Sequence, residues 1–109
     1  MRLISREELL EKLDQRRDIK LLFVLGEQQY RAKHIPGSLN LYISREALEV
    51  LDRDDEIIVY CSNELCSASI AAYNFLVGHG FKNVCRYAGG LLDWEEAGYP
   101  LEGEMVASQ

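Results

Sequence analysis

The sequence predicts an α/β fold in which a parallel sheet carries helices on both faces. Two continuous apolar runs, residues 21–25 and 57–60, are typical of strands that are covered on both sides. Segments with helical spacing of apolar residues separate these runs, and Gly and Pro mark the breaks between segments. Because strands that alternate with helices form βαβ units, we expect the strands to lie parallel in one sheet.

The first helix and the first long strand have clear boundaries. Ser5 and Glu8 form a capping-box pattern, and leucines at helical spacing follow, so we predict a helix over residues 6–16. The apolar strand at residues 21–25 ends at Gly26.

The remaining elements follow from the same turn and cap chemistry. In chain order they are a short strand at residues 3–4, a helical turn within 27–33, a strand at 38–41, a short helix capped by Ser44 that runs through residue 51, a strand at 56–60, a helix at about 67–78, a strand at 83–87 and a final short helix carrying Leu91, Leu92 and Trp94. We expect residues 1–109 to form one domain, with a short polar tail that frays after about residue 102.

Charge and hydropathy exclude several classes of partner. The net charge is −6, and no basic patch is visible, so we expect neither nucleic acid nor an anionic membrane surface as a partner. No apolar run is long enough to span a membrane, and the charged N-terminus does not resemble a signal peptide. The sequence therefore predicts a cytoplasmic protein.

Three cysteines are the main candidates for chemistry: Cys61, Cys66 and Cys85. An odd number in an apparently intracellular chain favours reactive thiols over a disulfide framework. No pair of Cys or His residues and no carboxylate cluster has metal-ligand spacing, so we predict no metal and no cofactor.

Cys61 lies where the strand at 56–60 ends and a helix is about to begin. The first turn of a helix presents unpaired N–H groups and the positive end of its dipole, which stabilise a thiolate. A thiol pKa lowered in this way makes Cys61 a better nucleophile near neutral pH. The alternative is an inert, buried cysteine at the end of a strand.

Five motifs in register resemble the single-domain rhodaneses over about residues 3–102. They are H-I-P-G-S-L-N at 34–40, I-V-Y-C at 58–61, G-F-K-N-V at 80–84, Y-A-G-G at 87–90, and Trp94 followed by A-G-Y-P-L at 97–101. The resemblance implies a rhodanese-like α/β fold with a central parallel sheet of about five strands.

The resemblance also implies a sulfurtransferase. Cys61 would be the catalytic nucleophile that cycles between thiolate and persulfide, and the loop after it would bind the anionic sulfur through its backbone N–H groups. The loop residues are Ser62, Asn63, Glu64, Leu65, Cys66 and Ser67. Sulfane sulfur would pass from a donor such as thiosulfate or a persulfide to a thiol, cyanide or protein acceptor. The oligomeric state is left open.

The chain departs from the family pattern in its loop. Many rhodaneses carry an Arg shortly before the helix, but Ser67 and Ala68 stand near that point and the loop contains Glu64. We therefore expect weak binding of thiosulfate, a dianion. The related phosphatases and arsenate reductases need an Arg on this loop, so a phosphatase function is disfavoured.

The sequence resembles one branch of the family, in which the loop reads Cys-x4-Cys-x-Ala-Ser. Cys66 could therefore act as a resolving thiol toward Cys61, or be a small apolar loop residue. A non-catalytic interaction or regulatory module and a thiol redox sensor remain the alternatives to the enzyme. His34, His79, Cys85 and Trp94 are interpreted as structural.

Overall fold

The computed structural model describes residues 1–15, 18–41 and 45–106. These residues form five helices and four strands. In chain order they are α1 (Arg6–Asp14), β1 (Ile19–Phe23), α2 (Glu27–Ala32), β2 (Leu39–Asn40), α3 (Ala47–Val50), β3 (Glu56–Tyr60), α4 (Ala68–Gly78), β4 (Val84–Arg86) and α5 (Gly90–Glu96). Within the described residues, no helix has both the length and the apolar character needed to cross a membrane.

All four strands lie parallel in one sheet, in the order β2-β1-β3-β4. The α/β prediction is therefore confirmed, with four strands in place of about five. Leu3 makes only an isolated parallel bridge to Arg86, at the outer edge of β4. The strand predicted at residues 3–4 cannot continue beyond Ile4, because Ser5 already caps α1 through the predicted capping box.

Alternate strand residues build two separate cores, one on each face of the sheet. Leu22, Val59 and Cys61 pack with α4, whereas Phe23 and Tyr60 face the opposite side. The second core also contains residues from α1 and α5, namely Leu9 and Trp94. The period-two alternation of strand side chains produces this division, and it confirms helices on both faces.

Element boundaries differ from the predictions mainly at the ends. The first helix stops at Asp14, the strand predicted at 21–25 starts earlier, at Ile19, and the strand predicted at 83–87 is shorter. The short helix begins at Ala47, and Ser44, its predicted cap, lies outside the described residues. End residues depend on local hydrogen bonds that propensity does not capture.

Candidate active site

Cys61 follows the last residue of β3 and lies at the carboxyl end of the central strands. Its side chain is buried, with 1% of its surface exposed, and it packs on the α4 side of the sheet. Its carbonyl oxygen accepts a hydrogen bond of 2.8 Å from the N–H of Leu91 in α5. The structure therefore places Cys61 between a strand and a helix, as predicted, and α4 begins at Ala68.

The loop after Cys61 curls back through Asn63. The backbone oxygen of Asn63 accepts from the N–H of Cys66 at 3.1 Å, and its side-chain oxygen accepts from the N–H of Leu65 at 2.9 Å. Both N–H groups are therefore engaged within the loop in this state, although we expected the loop to offer them to a sulfur anion. Ser67 precedes α4, and its side chain makes no cap hydrogen bond.

The curled loop brings Cys66 to Cys61, and a disulfide joins the two residues across a Cα–Cα distance of 6.5 Å. This separation is within the range that a disulfide requires. The sequence favoured free thiols over a disulfide framework, but in the described part of the chain only Cys85 is a free cysteine. The short loop explains the pairing, because its turn at Asn63 brings the sulfur of Cys66 to the sulfur of Cys61.

Two polar side chains lie beneath the loop. Arg86 from β4 donates through Nε to the hydroxyl oxygen of Ser69 at 2.8 Å, and this hydroxyl lies 3.4 Å from the sulfur of Cys61. Arg86 also reaches the backbone oxygen of Glu64 through Nη2, at 3.4 Å. Both Arg86 and Ser69 are buried.

Arg86 was not among the site residues predicted from the sequence. The available signal was the strand alternation: Arg86 shares a face with the apolar Val84, so its side chain points into the α4 core. The loop itself contains no Arg, yet the fold brings a guanidinium to it from the next strand.

The N-terminus of α5 closes the other side of the loop. Gly90 has a φ of +68°, and a Cβ built there would lie 2.6 Å from the carbonyl oxygen of Cys61. The N–H of Leu92 donates to the oxygen of Ser62 at 2.8 Å. The second glycine of the Y-A-G-G motif is therefore required by a close backbone approach.

A cavity of about 180 Å³ lies between the loop and α5. Its lining residues are Asn63, Glu64, Gly89, Leu92, Asp93 and Glu96. Asp93 accepts a 2.6 Å hydrogen bond from the hydroxyl of Tyr87 and pairs with Arg6 at 3.0 Å. Burial, together with this carboxylate, raises the pKa of Tyr87. The cavity is thus acidic, in contrast to a pocket built for a small anion.

The residues interpreted as structural have contacts elsewhere in the fold. His34 contacts the oxygen of Tyr30 through Nδ1 at 2.7 Å, and His79 contacts that of Phe75 at 2.8 Å, near the end of α4. Trp94 is buried, and Cys85 is half-buried against the second core. Among the residues the structure describes, no group of three or more His, Cys, Asp or Glu side chains could hold a metal ion.

Comparison with known proteins identifies relatives along nearly the whole chain. Residues 5–97 match the family described as "Rhodanese-like domain". This match confirms the resemblance drawn from the five motifs.

Two curated relatives and one solved structure illustrate the similarity. Thiosulfate sulfurtransferase GlpE of Coxiella burnetii is 33% identical over 77% of this chain and 78% of its own length. The HTH-type transcriptional regulator Rv0324 of Mycobacterium tuberculosis is 33% identical over 91% of this chain, which spans only 44% of the regulator. The rhodanese-like domain of Anabaena sp. protein Alr3790 superimposes with a TM-score of 0.86 at 25% identity, over 96% of this chain and 81% of that one.

Proposed function

This chain belongs to the rhodanese-like domain family, and we propose that it is a sulfurtransferase that carries sulfane sulfur as a persulfide on Cys61. Family membership and the GlpE relatives support sulfur transfer as the general activity. The observation that carries the assignment to one residue is the position of Cys61, buried at the junction of β3, the loop and α4.

In the first half-reaction the Cys61 thiolate attacks the outer sulfur of the donor. With thiosulfate, a bond forms between Sγ and that sulfur, the sulfur–sulfur bond of thiosulfate breaks, and sulfite leaves with the bonding electron pair. With a persulfide donor, the corresponding thiolate leaves. The product on the protein is an anionic persulfide, Cys61–S–S⁻.

In the second half-reaction an acceptor removes the terminal sulfur. A thiolate or cyanide attacks that atom, the bond to Sγ breaks, and the electron pair returns to Cys61 as a thiolate. The acceptor leaves as a persulfide or as thiocyanate. The two half-reactions together restore the starting protein, so no external oxidant or reductant is consumed.

The donor that we favour over thiosulfate is a persulfide that carries no more than one net negative charge. Glu64, Asp93 and Glu96 line the cavity beside the loop. Fixed carboxylates repel a dianion more strongly than a singly charged or neutral donor. The acceptor that we favour is a low-molecular-weight thiol or a protein thiol.

A second function is favoured by the disulfide. If Cys66 attacks the inner sulfur of the Cys61 persulfide, the Cys61–Cys66 bond forms and hydrosulfide leaves, so the site stops carrying sulfur. Such a site would act as a thiol redox or persulfide sensor, or as a regulatory module. The similarity to a transcriptional regulator is compatible with that function.

Intact mass of the reduced protein after incubation with a sulfur donor tests the primary proposal. The wild type and Cys66→Ser should gain the mass of one sulfur atom, and Cys61→Ser should not. Loading by cysteine persulfide, which has one net negative charge, should exceed loading by thiosulfate. The proposal fails if neither donor adds sulfur to reduced wild type, or if Cys61→Ser is loaded equally.

Release of hydrosulfide separates the second function from the first. A wild type that loads sulfur, then loses it as hydrosulfide with formation of the disulfide and without an acceptor, would favour the sensor. A persulfide that persists until a thiol or cyanide is added would favour the transferase.

A further inference from the structure

Arg86 is a buried cation without an anionic partner in the described part of the chain. The residue is 6% exposed, and none of the ion pairs among the described residues includes it. The two side-chain hydrogen bonds that Arg86 makes to described residues go to neutral oxygens, the hydroxyl of Ser69 and the backbone oxygen of Glu64. A buried charge is costly unless an opposite charge or strong hydrogen bonds compensate it.

A chain of two hydrogen-bond contacts runs from Arg86 through Ser69 to the sulfur of Cys61. A guanidinium can only donate, so the hydroxyl oxygen of Ser69 is the acceptor of the 2.8 Å bond from Nε. The hydrogen of that hydroxyl is then free for the sulfur of Cys61 at 3.4 Å, which carries no hydrogen in the disulfide. The same arrangement would donate to a thiolate, and donation from a polarised hydroxyl stabilises an anion.

We propose that Arg86, acting through Ser69, is a positioning residue that stabilises the anionic sulfur of Cys61. The missing counter-charge of Arg86 is then the thiolate, or the persulfide that replaces it in the catalytic cycle. This inference rests on the proposed function for its biological purpose, but its physical content concerns only the charge state of one sulfur. Arg86 also supplies, from β4, the positive charge that the loop lacks.

The other charged groups near the sulfur act in the opposite direction. Glu64 lies on the loop, and Asp93 and Glu96 face the loop from α5, across the cavity. All three carboxylates disfavour an anionic sulfur, although Arg6 partly neutralises Asp93. No other charged side chain is among the residues that line this cavity in the described structure. Arg86 therefore opposes the field of the acidic cavity from beneath the loop.

The test is a pH titration of the Cys61 thiolate, followed by its ultraviolet absorbance. The background variant Cys66→Ser/Cys85→Ser leaves Cys61 as the sole thiol, and the same protein with Cys61→Ser supplies the blank. We expect Arg86→Met to raise the titration midpoint by about one pH unit or more, the size associated with loss of a nearby opposite charge. Ser69→Ala should raise it as well.

Three further variants separate this role from a structural one. Arg53→Met removes the same charge from an exposed site that contacts His79 and Phe81, and it should leave the midpoint unchanged. Arg86→Lys should retain part of the effect, because the charge remains while the Nε contact is lost. In the double variant Arg86→Met/Ser69→Ala the shift should be smaller than the two single shifts combined, since one residue acts through the other.

A folded Arg86→Met protein with the same midpoint as Arg53→Met would overturn the proposal. If Arg86→Met does not fold, an unchanged midpoint in Ser69→Ala would overturn it instead. No sulfur donor is present in this titration. If Arg86→Met shows the expected shift in midpoint but the reduced wild type loads no sulfur, the sulfurtransferase is refuted and the role of Arg86 stands. If sulfur loads but the midpoint does not shift, the role of Arg86 is refuted and the sulfurtransferase stands.

Discussion

Gly90 lies directly against the backbone of Cys61, so that a Cβ at Gly90 would be 2.6 Å from the Cys61 carbonyl oxygen. This contact joins the N-terminus of α5 to the start of the candidate active-site loop. The N–H of Leu91 donates to the same oxygen at 2.8 Å, which holds the two segments together. The conformation of the loop therefore depends on a residue that is far from it in the sequence.

Replacing Gly90 with Ala should destabilise the protein more than the same change at Gly98. Both glycines have positive φ, +68° and +76°, but a Cβ at Gly98 meets nothing within 4 Å. We expect Gly98→Ala to lower the free energy of unfolding by about 1 kcal/mol, and Gly90→Ala by about 2–4 kcal/mol, because it adds overlap to backbone strain. Urea unfolding measures the free energy of unfolding of both variants. Equal losses of stability would show that the loop moves away from the new Cβ without a cost in free energy.

Oxidation should close the site reversibly. After mild oxidation, denaturation and alkylation, we expect one adduct per chain, on Cys85, and three after reduction. The oxidised protein should take up no sulfur until a dithiol reductant is added. Cys85→Ser should keep this sensitivity, whereas Cys66→Ser should lose the disulfide. Three adducts from the oxidised wild type would contradict the pairing.

Removing the charge of Glu64 should speed sulfur loading from thiosulfate. The side chain of Glu64 lines the acidic cavity beside the loop, so Glu64→Gln reduces repulsion of the dianion. We expect a rate constant of persulfide formation about two- to tenfold higher at low salt, with the gain shrinking as salt is added. The exposed Glu49→Gln in α3 makes the same charge change at a residue that does not line this cavity, and it should have no comparable effect. Equal acceleration by both variants would indicate a general charge effect.

Tyr60 should make the stability of the fold sensitive to alkaline pH. Its buried hydroxyl accepts from the N–H of Ile35 at 3.0 Å and bonds the hydroxyl of Ser38 at 2.9 Å. Burial raises the pKa of Tyr60 to about 12, above the value of about 10 in an unfolded chain. Between these values only the unfolded chain releases the proton, so stability that is present below about pH 10 falls by up to about 3 kcal/mol as the pH rises to about 12.

The variant Tyr60→Phe isolates that contribution. At about pH 8 it should be less stable than the wild type by about 1–3 kcal/mol, because the N–H of Ile35 loses its buried partner. By about pH 11 the difference should narrow, since Phe does not ionise. Urea unfolding at the two pH values measures the change. A difference that stays constant with pH would mean that Tyr60 keeps an ordinary pKa in the folded protein.

The fold was predictable because its signals are local in the sequence. The apolar runs around Leu22 and Val59 indicate strands covered on both faces, and the Ser5–Glu8 box marks the start of α1. The number of strands was less well predicted. The segment at Leu3 forms a single bridge and not a strand, and this outcome depends on how it pairs with the edge of β4. Propensity does not encode that edge.

The position of Cys61 between β3 and α4 was also predictable, whereas its surroundings were not. By itself the sequence determined a parallel α/β fold, membership of a rhodanese-like family and a cysteine between strand and helix. Only the tertiary structure decided that Cys66 pairs with Cys61, that Gly90 packs on the loop, and that Arg86 lies beneath Ser69. The physical reason is that periodicity and capping act between near neighbours in the sequence. Hydrogen bonds around the sulfur, in contrast, join β3, α4, β4 and α5, which only the folded sheet brings together.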